Sequence, residues 1–138
     1  MKEKIQKLIA LLDRGEIGAV RLGIAELSKV KLDRRSAFQL AHCARKVLAP
    51  DKALKLLHGY VRDSSHGKIR ADARLEEISE YAIALSELGA SKEALKLLAL
   101  VPIAKLPTSG IHASLTHIRL WDWKQAELKL KELLDLPK

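Results

Sequence analysis

The chain has 138 residues, 48% of them hydrophobic but only 4% aromatic, and a formal net charge of +8. That length fits a single domain with a real core, which must be built from leucine and alanine rather than rings. The lone Cys43 excludes an internal disulfide framework, and the lack of any asparagine excludes N-glycosylation.

The opening residues M-K-E-K-I-Q-K-L-I-A-L-L-D-R-G pair a basic start with apolar residues, as a secretion signal does. Here charges interrupt the apolar positions, and Ile5, Leu8, Ile9 and Leu12 share one helical face. The unbroken run Leu8 to Leu12 is too short for a signal core or a membrane span, so the expectation is a soluble cytoplasmic protein with no membrane partner. A first helix is predicted over about 4–13, with Gly15 as the hinge to a second over about 16–30. Asp33 suits the N-cap of a third helix ending near Leu48. Pro50 opens a fourth in the first-turn position where proline is tolerated, ending near Arg62. The stretch D-S-S-H-G-K (63–68) reads as a loop. A fifth helix is expected over about 71–88, stopped by Gly89, and Ser91 is expected to cap a sixth. Pro102 and Pro107 end that helix early. A seventh starts at Thr108 or Ser109, and an eighth runs from about Trp123 to Leu136.

Four of these segments share a hinge, an alanine and a leucine-rich run: R-G-E-I-G-A-V-R-L (14–22), A-P-D-K-A-L-K-L-L (49–57), G-A-S-K-E-A-L-K-L-L (89–98) and W-D-W-K-Q-A-E-L-K-L (121–130). Counted from Ala19 to Ala53, Ala94 and Ala126, the intervals are 34, 41 and 32 residues. A period near 34 built from helix-turn-helix units predicts an all-α protein, an α-solenoid of about four helical hairpins. The second helices carry broad apolar faces: Ala53, Leu54, Leu56, Leu57, Tyr60 and Val61 in one, and Ala94, Leu95, Leu97, Leu98 and Val101 in another. A helix packed on both sides needs such a width.

These residues resemble the tetratricopeptide repeats, whose units read W-x2-L-G-x2-Y on the first helix and A-x3-F on the second. The clearest unit here is Ile78-x2-Tyr81-Ala82-x2-Leu85, then Gly89, then Ala94-x3-Leu98 and Val101. Another is Ala37-x2-Leu40-Ala41-x2-Ala44 followed by Ala53-x3-Leu57. The last keeps Ala126-x3-Leu130 with Leu133, and the first only Val20-x3-Ile24. No unit has the family tryptophan. The resemblance implies a right-handed array without catalytic machinery, acting as an adaptor or chaperone-like module that binds a protein segment along the first helices. Transferring the register places Arg35, Phe38, His42, Arg45 and Lys46 in that groove, where three cations, one ring and one histidine suit an acidic or carboxylate-ended peptide. The same face of the following unit is Glu76, Ser79, Ile83, Ser86 and Glu87. Alternatively, Arg35, Arg45 and Lys46 are only solvated and Phe38 belongs to the core. The family's asparagine-based clamp for chaperone tails is excluded, since there is no asparagine.

Nothing resembles a catalytic or metal-binding motif: H-E-x-x-H, C-x-x-C and G-x-S-x-G are all absent. His42 and Cys43 are adjacent, so on a helix they point about 100° apart, and Cys43 is expected to be a small packed residue. His112 and His117 are five apart, a poor spacing for joint coordination. No cofactor is expected. Charge is uneven: residues 1–70 carry 16 Lys/Arg against 7 Asp/Glu, and residues 71–138 carry 9 against 10. The basic half is either a solvated surface or a surface for an acidic partner, and nucleic acid is the alternative function it implies. Trp121 and Trp123 are read as covering the end of the core. As the alternative, with Leu128 on the far side of the last helix from Ala126, Leu130 and Leu133, they form an interface through which a homodimer can assemble.

Overall fold

A computed structural model describes residues 1–137. It is all-helical, with α1 (Lys2–Asp13), α2 (Ile17–Leu27), α3 (Arg34–Lys46), α4 (Pro50–Val61), α5 (Leu75–Glu87), α6 (Ser91–Leu98), α7 (Pro107–Arg119) and α8 (Trp123–Leu134). The only β element among the described residues is an isolated antiparallel bridge between Arg62 and Ile69. No described helix is long and apolar enough to cross a membrane. The chain divides into two compact units, Met1–Asp72 with α1 to α4 and a second beginning at Ala73 with α5 to α8.

One turn recurs four times. Gly15, Leu48, Gly89 and Trp121 all have positive φ, at 76°, 61°, 93° and 60°. Each donates its N–H to the carbonyl three residues back, namely Leu12, Arg45, Ser86 and Ile118. The following residue donates to the carbonyl five back, at 3.0, 2.8, 2.9 and 2.8 Å respectively. This is the Schellman closure of a helix, and it satisfies carbonyls that the ending helix would otherwise leave open. The next helix then begins two residues after the left-handed residue in every case. The turn also sets phase: five residues beyond it stand Val20, Ala53, Ala94 and Ala126, all buried. Ala19, taken from sequence as the first repeat alanine, is exposed instead, because the turn at Gly15 rotates Val20 inward.

Glycine adopts positive φ without a Cβ penalty, whereas leucine does not. Leu48 is also 80% exposed, so its side chain contributes little packing. Leu48→Gly is therefore expected to raise stability by roughly 0.5–1 kcal/mol in a urea melt, net of the added freedom of the unfolded chain. A loss of stability would show that the Leu48 side chain makes a stabilising contact.

In the first unit α1 and α2 pack on each other and on α3, and α3 packs on α4. Ile5 and Leu8 are buried, as are Val20, Ile24 and Leu27, and a Cβ on Gly23 would run into the Leu8 side chain. Leu40, Ala44 and Val47 of the third helix lie buried, as do Ala53, Leu57 and Val61 of the fourth. Arg21 donates two hydrogen bonds to the Val47 carbonyl, at 3.0 and 2.8 Å, capping the end of α3. Asp33 takes the expected N-cap position, and the Ser36 hydroxyl is the main influence holding its carboxyl below the usual range.

The stretch after α4 is more ordered than a plain loop. Asp63 Oδ1 accepts from the Ser65 and His66 amides, and the Arg62 guanidinium donates to the Gly67 carbonyl. Arg70 reaches the Gly59 carbonyl and the Asp72 carboxylate. Arg34, over the Tyr60 ring, donates to both the carbonyl and the carboxylate of Asp72. These ties delay α5 to Leu75, four residues later than the sequence implies. The Asp72 carboxyl is held below the usual carboxylate range, first by its hydrogen bond to Arg70 and also by the charges of Arg70 and Arg34. A depressed carboxylate favours the folded state above its unfolded pKa, and that contribution disappears as pH falls through the folded pKa. Acid titration should thus loosen this segment only below the usual carboxylate range. Asp72→Asn should remove the acid-induced loss of amide protection there, taken relative to intrinsic exchange rates, and an unchanged protection profile would assign it to another carboxylate.

In the second unit α5 packs on α6 and α7, and α7 packs on α6 and α8. Every α5 residue from Glu77 to Ser86 is buried. Glu77 Oε1 accepts the Arg74 N–H at 2.9 Å and so steadies the start of the helix. Ser91 is not the cap of α6: Ala90 occupies that position, and Ser91 is the first helical residue, because the turn at Gly89 runs directly into the helix. Ser91→Ala therefore removes no cap. α7 opens at Pro107, one residue before the earliest expected start, and α8 ends at Leu134 rather than Leu136. Asp122, in W-D-W, caps α8 by accepting the Gln125 amide at 3.3 Å. Ala94 has no exposed surface. Ala94→Leu should overpack its site and cost about 1–3 kcal/mol, and a neutral result in denaturant melts would contradict its placement.

Candidate functional site

α3 turns one face toward a cleft of about 540 Å³ in the first unit. Phe38, His42 and Lys46 stand four residues apart and therefore line up along the helix. Gln39 and Cys43 complete that wall, and Ile9, Leu12 and Asp13 of α1 form the other. The floor is apolar and half-buried, with the Lys46 ammonium exposed on one side and the Asp13 carboxylate exposed on the other. Cys43 is buried and forms no disulfide, as expected for a small packed side chain.

Of the five α3 residues selected from sequence, three line this cleft together. Arg35 is exposed one turn before the cleft, and Arg45 is half-buried outside its lining. Spacing places both near the same face, but neither lines the part of α3 that α1 faces across the cleft. The α1 wall was not anticipated. Its signal was the stripe Ile5, Leu8, Ile9 and Leu12, of which Ile5 and Leu8 are buried while Ile9 and Leu12 stay half-buried and reach the cleft.

The corresponding face of α5 is not open. Ile83, Ser79 and Ser86 are buried, and Ser86 Oγ lies 2.9 Å from Thr116 Oγ1 and accepts from Arg119. Ile83 is thus a packing residue rather than a ligand contact, and only Glu76 and Glu87 of that set are exposed. Trp121 and Trp123 do not cover the core end. Their rings meet edge to face with centroids 5.8 Å apart, and both are exposed, since the left-handed turn directs Trp121 outward. Leu128 is exposed as expected, but so is Leu130, which the repeat pattern had placed in the core.

A second cavity, of about 370 Å³, lies in the C-terminal unit among Leu98, Val101, Pro102, Ala113, His117 and the ion-paired Lys129 and Glu132. His117 Nδ1 is buried there without a hydrogen-bond partner, 4.0 Å from Asp122 Oδ2. Among the described residues, no group of three or more His, Cys, Asp or Glu side chains is placed to hold a metal ion. Compared with known proteins, the chain matches no family model, no curated protein and no solved structure.

Proposed function

We propose that the chain is a non-enzymatic protein-interaction module, a tetratricopeptide-like solenoid of four hairpins, that holds a partner's peptide segment in the α1–α3 cleft. The observation that carries this reading is the Phe38–His42–Lys46 line facing Ile9 and Leu12 across that cleft. An apolar side chain of the peptide seats between Phe38, Ile9 and Leu12. An acidic group beside it, or a terminal carboxylate, meets Lys46, with Arg35 extending the positive field one turn further. The four matching turns support the repeat, since each unit ends and restarts its helices in the same way.

The rival reading is nucleic-acid binding by the basic half. It is weakened by how that half uses its arginines. Arg21, Arg62 and Arg70 donate to backbone carbonyls, and Arg34 and Arg70 share Asp72. Fluorescence anisotropy with labelled acidic-apolar peptides, their basic counterparts and single-stranded oligonucleotides separates the two. Saturable binding of the acidic peptides that survives physiological salt is the expected result. Preferential oligonucleotide binding with a steep salt slope would overturn it.

A further inference from the structure

α8 is only partly used by its own unit. Ala126 is buried and Leu133 half-buried. Trp123, Leu130 and Leu134 lie on the adjoining flank and are 57%, 46% and 82% exposed. They are separated by seven and four residues, close to whole numbers of turns, so they form one apolar stripe along the helix. The exposed Trp121 ring extends the stripe into the turn.

Charge indicates what covers it. Residues 1–70 carry an excess of cations, so two copies approaching through that part repel each other. From Asp122 to Asp135 there are three lysines against four carboxylates, nearly balanced. Glu127 and Lys131 border the stripe as an ion pair at 3.3 Å, and both side chains are largely exposed. The order of groups is self-complementary in one direction only. With a two-fold axis between residues 128 and 129 and the helices antiparallel, Trp123 of each copy meets Leu134 of the other. Glu127 then lies within about one residue rise, ~1.5 Å, of Lys131 of the other copy. A parallel arrangement carries the Glu127–Lys131 flanks of the two copies to opposite sides of the stripe, so neither glutamate meets the other copy's lysine. We propose that the chain forms a symmetric homodimer by antiparallel packing of α8 through Trp123, Leu130 and Leu134, with reciprocal Glu127–Lys131 pairs. Such an interface is isologous and closes at two copies.

Sedimentation velocity on the full chain, from about ten to several hundred micromolar, tests this surface independently of the peptide cleft. The wild-type protein should shift from monomer to dimer with concentration and go no further. Leu134→Glu, at an exposed position that leaves the fold intact by circular dichroism, should weaken dimerisation at least about tenfold. Glu127→Lys and Lys131→Glu should each weaken it, and the two together should restore it, because the swapped pair keeps its attraction. A wild-type monomer throughout, or continued growth beyond the dimer, would overturn the proposal. So would a dimer indifferent to Leu134→Glu, or a double swap as weak as the single ones.

Discussion

Leu57→Ala should lower the unfolding free energy by about 2–5 kcal/mol, the cost of losing buried methyl groups and leaving a cavity. Leu57 has no exposed surface, and it occupies α4 four residues after the buried Ala53. Leu130 holds the same place after Ala126 in α8 but is 46% exposed. Leu130→Ala should therefore cost less than about 1 kcal/mol in the monomer, where only partial burial is lost. Equal costs at the two sites would mean that the repeat register, not the observed packing, governs burial. Both variants are to be compared by urea denaturation at a protein concentration where the wild type is monomeric.

Reversing the positive line along α3 should have the largest effect on binding. In Arg35→Glu plus Lys46→Glu, the charge-assisted contact between Lys46 and an acidic peptide vanishes, and like-charge repulsion from both positions replaces the attraction. At about 1.5–3 kcal/mol for that contact, with the repulsion added, affinity should fall by more than about tenfold. Stability should hardly change, because both side chains are exposed. Phe38→Ala should weaken the same peptide by removing the apolar seat while leaving the charges in place. Lys105→Glu, an exposed reversal in the other unit, is the control. If the control abolishes binding and the α3 variants do not, the peptide site lies in the C-terminal unit.

The helices were legible because proline and glycine mark their ends. Pro50, Gly15 and Gly89 stand where the reading placed them, and the apolar periodicity fills the intervals. Two of the four turns were hidden. Leu48 and Trp121 adopt the left-handed conformation that glycine signals elsewhere, so their role emerges only from backbone geometry. The order in the segment after α4 was hidden for a different reason. Its anchor joins Arg34 to Asp72, 38 residues apart, and no local pattern records such a tie. The cleft was half legible. Spacing of four selects Phe38, His42 and Lys46 from sequence alone, whereas the α1 wall depends on how two helices meet. Ile83 was misplaced because the reading transferred an open face from one helix to another, and α5 is buried on all sides over most of its length.

The most direct test of the central claim is an amide chemical-shift titration of the isotope-labelled chain with the tightest acidic-apolar peptide. Saturable shifts are expected at Leu12, Asp13, Phe38, Gln39, His42 and Lys46, with α8 unaffected. Shifts confined to α8 or to the cavity beside His117, or no saturation by about millimolar peptide (a ΔG of only ~4 kcal/mol), would contradict it.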